Sequence, residues 1–196
     1  VGGYVGIDES NHGRLPEYYV ATFSLKREDP HPWEGLHKVR RKTFSMPETY
    51  QWRYLSFSHD DKTMLGDCGI KIVAATEFIR YFSEQYGRLF RVVFDGNSHS
   101  DFILEQIARE LYPERVPPIH FEKKADKKYP LVNASDAMAY SLYRRGTEHD
   151  HSKKDDLEHL LDFEATDYFR IIENYRRHQE FLEEYRGKPA KMKIKK

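Results

Sequence analysis

The sequence contains a single cysteine, Cys68, so it can form no internal disulfide, and this usage fits a reducing, cytoplasmic setting. No apolar run approaches the roughly 20 residues needed to cross a bilayer, which excludes a spanning helix and leaves no membrane partner to expect. The opening Val1-Gly2-Gly3-Tyr4 has neither a basic stretch nor an apolar one, so no secretory signal is expected. There is no internal repeat, and no low-complexity segment apart from a lysine-rich end. Net charge is lacking too, since 32 Lys+Arg balance 32 Asp+Glu. Disulfide scaffolds, membrane helices, solenoids and polycations are thereby set aside.

What is present is enough for a packed core. The 196 residues are 39% hydrophobic and 14% aromatic, consistent with one domain carrying a helical appendage. The charge balance hides an asymmetry. Five lysines (Lys188, Lys191, Lys193, Lys195, Lys196) crowd the last nine residues, leaving the body five charges negative. An acidic body with a basic end suits a protein that holds cations centrally and meets an anion at its edge, although a solvated terminus accounts for the lysines equally well.

Hydrophobic periodicity gives the organisation. Tyr4–Ile7, Tyr18–Leu25 and Thr49–Ser58 read as three strands, with an irregular basic insertion over 26–48. Ile72, Ala75, Ile79, Phe82 and Tyr86 recur at three and four residues, which predicts a helix over 70–86 ended by Gly87. Leu89–Phe94 is a nearly continuous apolar run, the pattern of a central strand. Ser98–Asp101 resembles a capping box opening a second helix through Leu111. Ile119–Glu122 is a fifth strand and Asn133–Tyr143 a third helix. A polar linker over 147–156 leads to one long terminal helix marked by Tyr168, Ile171, Tyr175, Leu182 and Tyr185.

The order βββαβαβα predicts an α/β fold, a mixed five-stranded sheet flanked by helices, with a C-terminal helical tail. This is the element order of ribonuclease H-like folds. The expected division is residues 1–146 as a ribonuclease H-like catalytic domain and 147–196 as linker, helix and basic tail.

The acids carry the chemistry. Asp8 and Glu9 stand where the first strand runs out, and Asp95 ends the fourth. Asp126 and Asp136 follow the fifth strand on the same sheet edge. Clustered carboxylates repel, and two divalent ions would neutralise four of them. Hard oxygen donors select Mg²⁺ or Mn²⁺, and two such ions roughly 3.5–4 Å apart serve in-line phosphoryl displacement. Taken singly, each acid also has a structural reading as a turn former or cap. Asp136 has the best of these: with Asn133 as N-cap it would occupy the third helical position.

Gly6-Ile7-Asp8-Glu9, followed by Gly13, resembles the first motif of type 2 ribonuclease H enzymes. The stretch Glu122–Ser135, with Asp126 in Lys124-Ala125-Asp126-Lys127-Lys128-Tyr129-Pro130, is similar to the segment around the last catalytic aspartate of archaeal members. The resemblance implies a two-metal site of Asp8, Glu9, Asp95 and Asp126, with Glu9 a ligand or the residue orienting the attacking water.

The departures bear on substrate. Ser10-Asn11-His12-Gly13 stands where type 2 enzymes have the glycine motif that reads a ribose 2′-hydroxyl, and the loop that carries a junction-reading tyrosine in that family is replaced by the linker around His149 and His151. Archaeal ribonuclease H-like proteins that trim single-stranded DNA from its 3′ end give one alternative substrate. A related set of ribonuclease H-like proteins opens with Asp-Glu-Ser and has an Ala/Ser-Asp in the last helix, which keeps Asp136 among the candidate metal ligands. The expectation is therefore a nuclease with nucleic acid as partner, preferring single-stranded DNA. The alternatives are cleavage of RNA in RNA/DNA hybrids and a non-catalytic binding module.

Several residues are candidates for contact with the strand. Lys124, Lys127 and Lys128 flank a candidate ligand, and His12, beside the acidic pair, could bind the strand or protonate the leaving group. Ten scattered histidines without cysteine partners do not form a zinc pattern. Tyr50, Trp52 and Tyr54 alternate onto one strand face opposite Arg53, where they serve as core or as a base-stacking surface. The terminal helix can dock on the core or build a homo-oligomer.

Overall fold

A strand with no polar residue before Asp8 sits at the centre of the sheet. In the computed structural model, which describes residues 2–10, 15–28, 44–96, 100–111, 116–147, 158–171, 173–174, 176–177 and 180, β1 (Gly2–Glu9) pairs antiparallel with β2 (Glu17–Ser24) and parallel with β4 (Arg88–Asp95). β3 (Gln51–Phe57) adds antiparallel to β2, and β5 (Ile119–Glu122) adds parallel to β4. The five-stranded order is β3-β2-β1-β4-β5. This is the mixed five-stranded sheet that the element order predicts.

The pleat sorts side chains onto two faces. Val5, Ile7, Tyr19, Ala21, Phe23, Leu55 and Phe57 form the larger core with α1 (His59–Tyr86) and α2 (Ser100–Glu110). Phe23 stacks on Tyr86 at 4.4 Å and on Phe82 at 5.2 Å. The opposite face packs on α3 (Pro130–Thr147), with Val20, Trp52 and Tyr54 against Met138, Ala139 and Leu142. Trp52 and Tyr54 are thus core residues. Arg53 points the other way, its guanidinium 4.6 Å from the Tyr81 ring centre.

Two helix starts differ from the sequence expectation, each for a local reason. α1 begins eleven residues before Ile70, at His59. Ser58 and Asp61 cap it reciprocally, and Gly66 (φ 67°, ψ 173°) breaks it into two pieces. The first piece lacks an apolar stripe, so periodicity misses it. α3 begins at Pro130, where a missing N–H costs nothing, and not at Asn133. α2 begins at Ser100 and ends at Glu110; Ser98 and His99 of the expected capping box lie outside the described residues.

The C-terminal part returns to the sheet. Leu160 bridges Tyr54 on the outer edge of β3, and Leu161 N–H donates to the Tyr54 carbonyl at 2.9 Å. Ala165, Tyr168 and Ile171 join the larger core, and the Tyr168 hydroxyl donates to Glu77. Helical backbone follows at the described residues from 169 to 180. The rest of the expected terminal helix, the lysine-rich end, residues 29–43 of the expected insertion over 26–48, and His149 and His151 lie outside the described residues. Among the described residues no helix is long and apolar enough to cross a membrane.

Candidate active site

Three elements deliver carboxylates to the carboxyl ends of the central parallel strands, the usual place for a site in an open α/β sheet. In the β1–β4 register Ile7 lies opposite Phe94, so Asp8 and Asp95 are the next residues along neighbouring strands. Each stands two residues beyond a position that faces α3. Gly6 does so because a Cβ there would come within 2.5 Å of the Val132 amide nitrogen, and Val93 because it packs on Val132. Asp8 and Asp95 therefore share the α3 face, and Asp136 comes from α3 itself.

The close approach of α3 to β1 is fixed by buried hydrogen bonds. The Thr22 hydroxyl donates to the Leu131 carbonyl at 2.6 Å, and the Ser135 hydroxyl donates to the Gly6 carbonyl at 2.9 Å. Asp136 is the seventh residue of α3, too far along to cap it, so the capping account expected for it does not hold. Asn133, expected as N-cap, instead donates its amide to the Asp126 carbonyl at 2.8 Å, tying the helix to the turn before it.

Asp8 is 4% exposed and its carboxyl is pushed well above the ordinary carboxylate range. Burial is the largest cause, followed by the charges of Asp95, Asp136 and Glu9; a hydrogen bond from the Glu9 amide to Asp8 Oδ1 at 2.7 Å opposes them. Asp95 is also raised, first by burial and further by Asp126. Backbone amides of Ala125 (2.9 Å to Oδ1), Gly96 and Lys124 pull the other way. Lys124 adopts a left-handed φ of 62° that costs about 1–2 kcal/mol, and the amides of Lys124 and Ala125 bond Asp95. The carboxylates thus form a line of neighbours, Asp136 to Asp8 to Asp95 to buried Asp126.

Glu9 is placed differently. It follows Ile7 by two residues and so leaves on the α1 face, where Lys71 Nζ lies 3.8 Å from Oε1. Sequence reasoning missed Lys71. Its signal was a charge inside an apolar helical stripe, flanked by buried Ile70 and Ile72. Ser10, which begins the stretch standing in place of the glycine motif, closes the β1–β2 hairpin: its N–H donates to the Tyr18 carbonyl at 2.7 Å, and its hydroxyl accepts from the Tyr18 amide at 2.9 Å.

The basic candidates disperse. Lys128 is ion-paired with Glu122, which also accepts from the Tyr129 hydroxyl at 2.7 Å, and the Lys128 bond is the chief cause of the lowered Glu122 pKa. Lys124 is exposed and Lys127 half-buried, while His12 lies outside the described residues.

Among the described residues no group of three or more His, Cys, Asp or Glu side chains is already arranged to hold a metal ion. The donor set fits one in chemistry: hard carboxylate oxygens, one nearly fully buried, whose mutual repulsion a divalent cation would relieve.

No family model matches the chain, and no curated protein does. Among solved structures 17 chains match. One belongs to the PCNA:RNase HII complex from Archaeoglobus fulgidus, 18% identical to this chain, with 99% of this chain and 96% of that one covered and a TM-score of 0.47. At that identity and score the likeness says nothing of activity and carries no argument.

Proposed function

We propose that the chain is a divalent-metal-dependent nuclease that hydrolyses nucleic-acid phosphodiester bonds at Asp8, Asp95 and Asp136, with Glu9 and Asp126 beside them. The observation that carries this reading is the meeting of acids from β1, β4 and α3 around Asp8, whose carboxyl is raised first by burial and then by its acidic neighbours. A fold maintains such repulsion at a cost, and neither Asp8 nor Asp136 caps a helix to offset it.

Two ions, Mg²⁺ or Mn²⁺, when bound would compensate the acids and stabilise the attacking and leaving oxygens. The chain's own residues hold that geometry. Asp95 is locked by the amides of the 124–125 turn, and Asp8 is oriented by the Glu9 amide. Glu9, on the other side of the strand end, orients the attacking water. Water adds to phosphorus as the bond to the leaving oxygen breaks, and that oxygen departs protonated.

The preferred substrate is the 3′ end of single-stranded DNA. This rests on Ser10, a hairpin-closing residue that begins the stretch where a 2′-hydroxyl-reading glycine motif would stand. A second reading, cleavage of RNA in RNA/DNA hybrids, is favoured by the 122–135 segment, whose amides grip Asp95.

End-labelled cleavage with Mn²⁺ on single-stranded DNA, duplex DNA and an RNA/DNA hybrid tests these readings, with Asp136→Asn run in parallel. A ladder from the single strand, absent in the variant, is the expected result. Internal cuts in the hybrid alone would replace the first substrate by the second. Silence on all three would remove the nuclease reading and leave a binding module.

A further inference from the structure

We propose that Lys71 is a substrate-contacting residue whose ammonium takes a non-bridging oxygen of a nucleic-acid phosphodiester held at the carboxylates. The inference rests on the nuclease reading above for its substrate, and on three observations of its own.

The first is how Lys71 reaches the site. Gly66 breaks α1, and the second helical piece carries Lys71 on the face that Ala74 and Ala75 bury. The side chain is 23% exposed, so its stem is covered and its tip reaches solvent. The second is where the tip lies. Gly96, directly after Asp95, has φ 135°, and a Cβ there would be 3.6 Å from Lys71 Nζ. The ammonium therefore lies over the end of β4, beside the backbone that bears Asp95. The third is a stand-off. Lys71 Nζ is 3.8 Å from Glu9 Oε1, well beyond the roughly 2.7–2.9 Å of a charge-assisted hydrogen bond. A lysine recruited simply to neutralise Glu9 would close that gap. This one stands with its ammonium between Glu9 and Gly96 at the strand ends, placed to meet an anion once cations compensate the acids.

The test uses the full chain with Mn²⁺, and Lys71→Met and Lys71→Arg beside wild type. The substrates are a single-stranded oligodeoxynucleotide and copies carrying one uncharged methylphosphonate linkage at successive positions near the 3′ end. Lys71→Met should lower kcat/KM on the all-phosphodiester strand by roughly 10- to 100-fold, the size of a lost charge-assisted bond, and Lys71→Arg should recover most of it. At one methylphosphonate position wild type and Lys71→Met should converge, since the charge that Lys71 meets is gone. Strand binding with Ca²⁺ in place of Mn²⁺, followed by fluorescence anisotropy across salt concentrations, should show the slope of log K on log salt reduced by about 0.7 in Lys71→Met.

A loss equal on every substrate would show a neutralising partner and overturn the proposal. An unchanged salt slope would overturn it as well. If wild type cleaves nothing while the slope still falls in Lys71→Met, the nuclease reading fails and the phosphate contact stands.

Discussion

Replacing Asp8 by Asn should make the protein more stable in metal-free buffer at neutral pH. Asp8 is nearly fully buried, and burial and three acidic neighbours oppose its charge. Asn keeps an Oδ1 to accept the Glu9 amide, and its new N–H₂ faces the carboxylates of Asp95 and Asp136. Relief of a buried, poorly compensated charge is worth about 1–3 kcal/mol, and for a domain of this size each kcal/mol moves Tm by about 2–4 °C. The gain should fall at about 2–12 °C. Its sign depends on pH. The folded state binds the Asp8 proton more tightly than the unfolded chain, so this residue lowers stability as pH rises from the ordinary carboxylate range through its raised folded value. Below that window Asp8 is protonated in both states and the two proteins should melt together. Thermal melts in EDTA at pH steps from about 3 to about 8 measure this. A variant that melts at or below wild type throughout would refute the electrostatic account of the site.

Other consequences follow from the same geometry. Mn²⁺ at about a hundred times its Kd should stabilise wild type by about 2.7 kcal/mol, and Asp136→Asn should lose most of that gain in parallel melts. Gly6→Ala forces a Cβ to within 2.5 Å of the Val132 amide nitrogen, so it should cost about 1–3 kcal/mol by denaturant unfolding; a neutral result would mean that α3 can move off β1 freely. Tyr168→Phe removes the hydroxyl bond to Glu77 and should cost about 1 kcal/mol, whereas no loss would detach residues 165–171 from the core energetically.

The sheet was legible because its signals are strong and local. Three β-rich runs, an apolar fourth strand and crossover helices leave few ways to order five strands. The placement of Asp8 beside Asp95 followed from that order, since both end neighbouring strands. What escaped was set by tertiary geometry. The first piece of α1 is held by the Ser58–Asp61 cap and not by burial, so it carries no apolar period. α3 starts at Pro130 because its first turns are anchored by Thr22 and Asn133, contacts made to residues distant in the chain or to the preceding turn. The pleat splits the adjacent Asp8 and Glu9 onto opposite faces, and α1 then brings Lys71 to within 3.8 Å of Glu9. Lys128 looked available for phosphate beside a candidate ligand, yet the reach of Glu122 from β5 pairs it.

Mn²⁺ titration followed by electron paramagnetic resonance, on wild type and on the Asp8→Asn variant, tests the centre of this account most directly. Wild type should take up Mn²⁺ saturably, withdrawing it from the free-ion signal. The folded Asp8→Asn protein should leave that signal at its buffer level. Equal uptake by both proteins, or none by wild type, would contradict a metal site at the ends of β1 and β4.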